Sequence, residues 1–111
     1  MIGITSYGGF IPRARLDRKA ILQHVGWFNP ALAAVARGER AICGYDEDSI
    51  TMAWAAAKDC LTGLDKNSLD GLYFATTTPP FAERLNASIL VGALNLSETI
   101  ATIDSTSSQR A

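Results

Sequence analysis

Leu72-Tyr73-Phe74-Ala75-Thr76-Thr77-Thr78-Pro79-Pro80 is the stretch that decides the fold class. Its first seven residues are aromatic, branched or small and carry no charge. That composition reads as a strand buried on both faces. Pro79-Pro80 blocks continuation, because proline cannot donate to a sheet ladder. Residues 82–94 then read as a helix, small-residue-rich through Ala87, Ser88, Gly92 and Ala93, so that another element can pack close against it. Residues 99–103 read as a second, β-compatible strand, and residues 104–108 supply turn chemistry. Strand, helix and strand in that order predict a parallel pair with a right-handed crossover.

Upstream, residues 2–7 (Ile-Gly-Ile-Thr-Ser-Tyr) read as a first strand, ended by Gly8-Gly9 and Pro12. Leu16-Asp17 opens a helix with Asp17 as its N-cap, and Ile21, Leu22 and Val25 give it an apolar stripe as far as Trp27. Asn29-Pro30 interrupts, residues 31–36 suggest a further helical turn or two, and Gly38 stops them. Residues 41–45 form a brief extended piece. Asp46, Glu47 and Asp48 stand at the start of a strong helix, where acids complement the helix dipole. Ile50, Ala53, Trp54, Ala57 and Leu61 share one of its faces, and Gly63 closes it. The resulting order, β-α-α-β-α-β, is that of a doubly wound α/β sheet. With no internal repeat or linker, residues 1–111 read as one partial α/β domain, a half-domain with a site at one edge.

Composition narrows the function classes. Of the 111 residues 48% are hydrophobic and 19% charged, which suits a buried α/β core and not a disordered chain. A net charge of −1 gives no generic attraction to nucleic acid or an anionic membrane. Arg13, Arg15, Arg18 and Lys19 cluster, but Leu16 and Asp17 dilute them, and they read as a solvated loop entering a helix. No run approaches the roughly 18 apolar residues of a membrane span. The first residues lack the basic region and long apolar run of a signal peptide, so a cytoplasmic protein is expected. One histidine and two cysteines outside CxxC spacing supply no metal set. Cys43 and Cys60 are expected to be reduced and structural.

In an α/β protein the loops leaving the carboxyl ends of the strands are where ligands bind. Thr76, Thr77 and Thr78 occupy one such end, with Glu83 and Arg84 at the start of the following helix. Ser105, Thr106, Ser107 and Ser108 occupy the other, although a serine nucleophile needs a base beside it and none is visible. Gly3, Gly8 and Gly9 match no dinucleotide fingerprint. His24 reads as a half-buried packing residue, and the acids at 46–48 as a helix cap and not a metal or acid/base cluster. The chain ends on the hydroxyl-rich loop with no helix to cover it. Either a longer polypeptide or a second chain is expected to complete the site.

Several stretches together resemble the opening of the 3-hydroxy-3-methylglutaryl-CoA synthase family, in its archaeal and bacterial synthase-like branch of the thiolase superfamily. They are Ile2-Gly-Ile-Thr-Ser-Tyr-Gly-Gly-Phe-Ile-Pro-Arg13 with Leu16, then Ala36-Arg-Gly-Glu-Arg-Ala41. Gly44-Tyr-Asp-Glu-Asp-Ser-Ile-Thr-Met-Ala53, Ala55-Ala-Ala57, Leu72 to Thr78 and Ile103-Asp104 continue the set. The resemblance covers essentially all 111 residues, but only the first quarter to third of a typical member. It implies a thiolase-like α/β fold, the chain forming the N-terminal part of an αβαβα layered half-domain with a mixed, mostly parallel sheet. It also implies an acyltransferase that makes or breaks C–C bonds on coenzyme A thioesters. In such enzymes a cysteine is acylated, a glutamate acts as acid/base, and a histidine much later in the chain polarises the acceptor.

The resemblance also shows where this chain departs. The family's cysteine precedes a basic-Ala pair, and aligning that pair on Arg110-Ala111 puts Gln109 in the nucleophile's place. The family's glutamate falls on Thr77, with Glu83 as a possible substitute. Glutamine cannot form a thioester, but its amide can donate to a thioester oxygen and stabilise an enolate. In related ketosynthase-like domains the same exchange accompanies decarboxylation. The catalytic candidates are therefore Gln109, Glu83 and Thr77, with Ser108 and Arg110 as substrate-binding residues. Acyl-CoA is the expected substrate, with no further cofactor. A homo- or hetero-oligomer is expected, together with a zinc-ribbon/OB-fold partner protein. The alternative is a non-catalytic half that completes a catalytic partner.

Overall fold

Asp17 closes one element and opens the next. In the computed structural model, which describes residues 2–107, strand β1 (Ala14–Asp17) runs directly into helix α1 (Arg18–Val25). The Asp17 carboxylate accepts from Lys19 N at 2.9 Å and satisfies one of the orphan donors of the first turn. A 3-10 segment, Pro30–Val35, follows. The backbone then turns at Gly38, whose φ of +70° suits glycine. Strand β2 (Glu39–Ile42) lies antiparallel to β1, Ala14 opposite Ile42 and Asp17 opposite Glu39. These elements form one compact unit, residues 11–46.

The second unit joins the residues up to Phe10 with those from Glu47 onward. Helix α2 (Ser49–Cys60) starts with a capping box: Thr51 N donates to the Asp48 carboxylate, and Asp48 N to Thr51 Oγ1, each at 2.8 Å. Strand β3 (Gly71–Ala75), helix α3 (Asn86–Leu94) and strand β4 (Ala101–Ser105) complete it. β3 and β4 are parallel, Gly71 opposite Ala101 and Ala75 opposite Ser105.

Ile50, Phe74, Ala87 and Leu90 are buried together, with Ala53, Leu72 and Ile89 against them. Val91, Leu94 and Leu96 form a second cluster with Ala57, Leu61, Leu69 and Ile100. Each fully buried large apolar side chain contributes roughly 1.5–3 kcal/mol. Polar clips tie the helices further. Trp54 Nε1 donates to Ala93 O at 3.2 Å, and Lys66 Nζ to Leu94 O at 2.9 Å at the carboxyl end of α3. The residues before Phe10 attach to the end of α2. Ser6 Oγ donates to Cys60 O at 2.7 Å, and a side chain on Gly8 would fall on the backbone of Ala56 and Cys60.

The α/β class stands, but individual elements differ from the sequence reading. Residues 2–7 form no strand; Ile2, Ile4 and Tyr7 stand exposed, and no neighbouring strand pairs with them among the described residues. The described strands make two separate two-stranded sheets, the first antiparallel, in place of a continuous doubly wound sheet. β3 begins one residue earlier than expected and stops at Ala75, so Thr76–Thr78 belong to the loop. β4 runs two residues beyond the expected end. Helix α3 starts at Asn86 and not at residue 82, because its cap comes from β4.

The reading of β3 as buried on both faces is also corrected. Leu72 and Phe74 face the helices, while Tyr73 is 73% exposed on the other side, opposite Ile103 at 49%. Among the described residues, helices cover only one face of this pair. His24 is exposed, not half-buried; its Nδ1–H donates to Ala20 O at 2.8 Å within α1.

Candidate functional site

Parallel β3 and β4 end side by side, and their loops are joined at once: Thr76 N donates to Ser105 O at 3.0 Å. The loop after β3 is tied down twice more. Ser49 Oγ at the start of α2 donates to Thr78 O at 3.0 Å. Asn86 grips Phe81 from both sides, its Oδ1 accepting from Phe81 N at 3.2 Å and its Nδ2 donating to Phe81 O at 3.0 Å. The same Nδ2 donates to Arg84 O at 3.2 Å and to Asp104 Oδ2 at 2.9 Å. With 2% of its surface exposed, Asn86 is buried, and these bonds offset the cost of burying an amide.

Asp104 supplies the cap of α3 from the neighbouring strand. Its Oδ2 accepts from Asn86 N at 2.6 Å and its Oδ1 from Ala87 N at 2.7 Å. Leu85, at the N-cap position, has no side chain for the task. The carboxylate also sits where the helix dipole favours negative charge. Burial pushes the Asp104 pKa up. Hydrogen bonds from the Asn86 side chain, Ala87 N–H and Asn86 N–H outweigh that, leaving it below the usual aspartate value.

Together these loops frame a cleft of about 340 Å³. Thr77, Thr106 and Ser107 bring hydroxyls to its lining, Phe81 an aromatic ring and Arg84 a cation; Asn86 and Asp104 line it as well. The Arg84 guanidinium lies 5.7 Å from the centre of the Phe81 ring. Ser107 holds a φ of +69°, a left-handed conformation unusual for a residue with a Cβ, at the point where the chain leaves β4.

Of the residues singled out from sequence, Thr77 lines this cleft and Glu83 is exposed in the same loop, outside the lining. Ser108, Gln109 and Arg110 lie outside the described residues. Asn86 was not anticipated. In sequence Asp104 reads as the first residue of a turn, so nothing local pairs it with Asn86. Among the described residues no group of three or more His, Cys, Asp or Glu side chains is gathered as for a metal ion. Cys43 and Cys60 are free thiols. No helix among the described residues is long and apolar enough to cross a membrane.

The chain matches no protein-family model. It is 32% identical over 108 residues to the hydroxymethylglutaryl-CoA synthase of Pyrobaculum arsenaticum, and 30% identical over 96 residues to that of Aeropyrum pernix. Those alignments take in 93% and 85% of this chain. The chain is homologous to hydroxymethylglutaryl-CoA synthases. It spans about three-tenths of the length of these curated relatives, 30% and 27% respectively. Among solved structures, this synthase-like chain superposes on cerulenin-bound OleA of Xanthomonas campestris with a TM-score of 0.78 at 18% identity. The match covers 93% of this chain and 33% of that one. 3-Oxoacyl-(acyl carrier protein) synthase III of Xanthomonas oryzae gives a TM-score of 0.74, also at 18% identity and with the same coverage of each chain. The synthase-like chain thus has the thiolase-like fold of these enzymes.

Proposed function

We propose that this chain is part of an acyl-CoA-handling protein of the hydroxymethylglutaryl-CoA synthase type, acting on C–C bonds of CoA thioesters. Homology to the synthases along 93% of the chain carries the reading. The cleft where two parallel strands end together supports it, since ligands of α/β proteins bind there. In this reading Gln109, aligned through the basic-Ala pair Arg110-Ala111, stands in for the family's nucleophilic cysteine. Its amide donates to the thioester oxygen and stabilises the enolate left when a malonyl-type thioester loses CO2, and protonation of that enolate completes the reaction without an acyl-enzyme. Thr77 holds the substrate from the cleft wall, Glu83 supplies acid/base chemistry from the same loop, and Ser108 and Arg110 flank the acyl group.

The second reading, a non-catalytic half completing a catalytic partner, is favoured by the same Gln109. The partner would be another thiolase-fold chain or a zinc-ribbon/OB-fold protein, in a cytoplasmic oligomer. One set of assays separates the two. The full chain is incubated with acetyl-CoA, acetoacetyl-CoA and malonyl-CoA, and the products are followed by mass spectrometry. Turnover that is lost in Gln109→Ala supports the catalytic reading, as does an acetyl adduct gained by Gln109→Cys. Inert wild type and Gln109→Cys, with a stoichiometric co-purifying chain, support the second.

A further inference from the structure

We propose that Asn86 and Asp104 are positioning residues of the cleft, a clasp through which strand β4 sets the place of the loop carrying Phe81 and Arg84. The relation between the three segments is hierarchical. Asp104 makes no bond to Phe81; it fixes Asn86 by accepting from both its backbone N–H and its amide. Asn86 in turn holds Phe81 by both backbone groups and Arg84 by its carbonyl. Every contact of Asp104 is an acceptance, one oxygen serving Asn86 and the other Ala87. Only an ionised carboxylate offers acceptors in both directions without presenting a donor of its own. An amide at position 104 would aim its NH₂ at one of these N–H groups.

Asn86 is used to the same limit. Its two amide hydrogens are shared among three acceptors, and its carbonyl takes the one donor that faces it. Buried polar networks of this kind hold a single geometry when fully satisfied and lose it when one member is removed. The loop has few other anchors: Phe81, Ala82, Glu83 and Arg84 are all exposed and belong to no regular element. The first link of the clasp, from β4 to the start of α3, therefore governs the loop that brings Phe81 and Arg84 to the cleft.

The clasp itself follows from the geometry, whereas its consequence for turnover rests on the function proposed above. The test uses the full chain, as wild type and as Asp104→Asn, with Asp104→Glu as the milder variant should the first not fold. Amide exchange is read at Phe81, whose N–H donates to Asn86 and not to residue 104, and at Leu96, whose N–H donates to Val91 O beyond the far end of α3. The expected result is exchange at Phe81 faster by about tenfold or more while Leu96 keeps its rate, the mark of local opening. Unchanged exchange at Phe81, or an equal rise at both amides, overturns the clasp.

Turnover of the acyl-CoA identified for the wild type is read alongside. A kcat lowered about tenfold or more with KM within a few-fold supports positioning, since displaced groups cost rate before affinity. An unchanged kcat in a variant with the opened loop overturns it. If the wild type turns over no acyl-CoA, the proposed function fails and the exchange rates alone decide the clasp.

Discussion

Phe74 and Asp104 are register partners across the parallel β3–β4 ladder, and both face the side covered by the helices. The aromatic ring fills the core beside Ala87, and the carboxylate one strand over caps the helix that Ala87 belongs to. A single row of the sheet thus joins the apolar core to the polar lining of the cleft. Replacing Asp104 by Ala strips acceptors from Asn86 N–H, the Asn86 amide and Ala87 N–H at once. A loss of about 1–3 kcal/mol of unfolding free energy is expected, the range for buried donors left unsatisfied. Urea midpoints of the two proteins at neutral pH measure it; equal midpoints would remove Asp104 from the list of stabilising groups.

The same carboxylate predicts a pH dependence. Its pKa in the folded chain lies below the ordinary aspartate value, because the hydrogen bonds from Asn86 and Ala87 outweigh the opposing effect of burial. A depressed folded pKa means the unfolded chain takes up the proton more readily. The contribution to stability is therefore complete above the unfolded aspartate pKa and is lost as pH falls through the folded one. Melting temperatures followed from neutral pH downward should decline more steeply for wild type than for Asp104→Asn. Parallel curves for the two proteins would contradict this.

Gly8 approaches α2 so closely that a Cβ there would overlap Cys60 N and Ala56 O, both backbone atoms that cannot rotate aside. Gly9 N donates to the Asp59 carboxylate at 3.2 Å and Ser6 Oγ to Cys60 O, so the segment has little freedom to retreat. Gly8→Ala is expected to cost about 1–3 kcal/mol, as overpacking does. Gly9→Ala meets open space and serves as its control. Thermal melts of the two variants compare them directly, and equal melting temperatures would show the segment free to shift.

Local signals carried much of the fold into the sequence. Asp17 before Ile21, Leu22 and Val25 marked α1, and Asp48 before Ile50, Ala53 and Ala57 marked α2, because each cap lies beside the helix it serves. The start of α3 was misplaced because its cap is Asp104, 18 residues downstream of Asn86, and no local pattern announces a partner that distant. The strand expected over residues 2–7 failed for a related reason. Alternation in Ile2-Gly3-Ile4 describes a chain that suits a ladder, but a ladder also needs a neighbour. At the site, hydroxyls and charges at two strand ends placed the cleft, and Thr77 fell within it. The buried amide that braces it was invisible, since Asn86 looks like any polar residue opening a helix.

Ser107 tests whether the backbone at the cleft is held under strain. Its φ of +69° lies in the left-handed region, which costs a residue bearing a Cβ roughly 1–2 kcal/mol and a glycine little. Branching at Cβ worsens the crowding, so Ser107→Val should be less stable than Ser107→Gly by about 1–2 kcal/mol even though valine is the better strand former. Urea midpoints of the pair give the difference. A valine variant as stable as the glycine one would mean that the turn relaxes to negative φ at no cost.

Tyr73 and Ile103 stand opposite each other on the uncovered face of the β3–β4 pair, 73% and 49% exposed. Ala75 and Ala101, on the same face, add no charge to interrupt the apolar surface. Among the described residues no further strand pairs with the outer edges of β3 and β4, so face and edges favour association of copies. The 111-residue chain alone is expected to self-associate, with a scattering mass that rises with concentration. Tyr73→Lys with Ile103→Lys places a cation at each centre of the patch and should bring the mass toward that of one chain, because stacking the patch would then bury unpaired charge. The substituted residues face away from Leu72 and Phe74, so far-UV circular dichroism should be unchanged. A wild-type chain that stays monomeric across the concentration series would show that this face needs no cover.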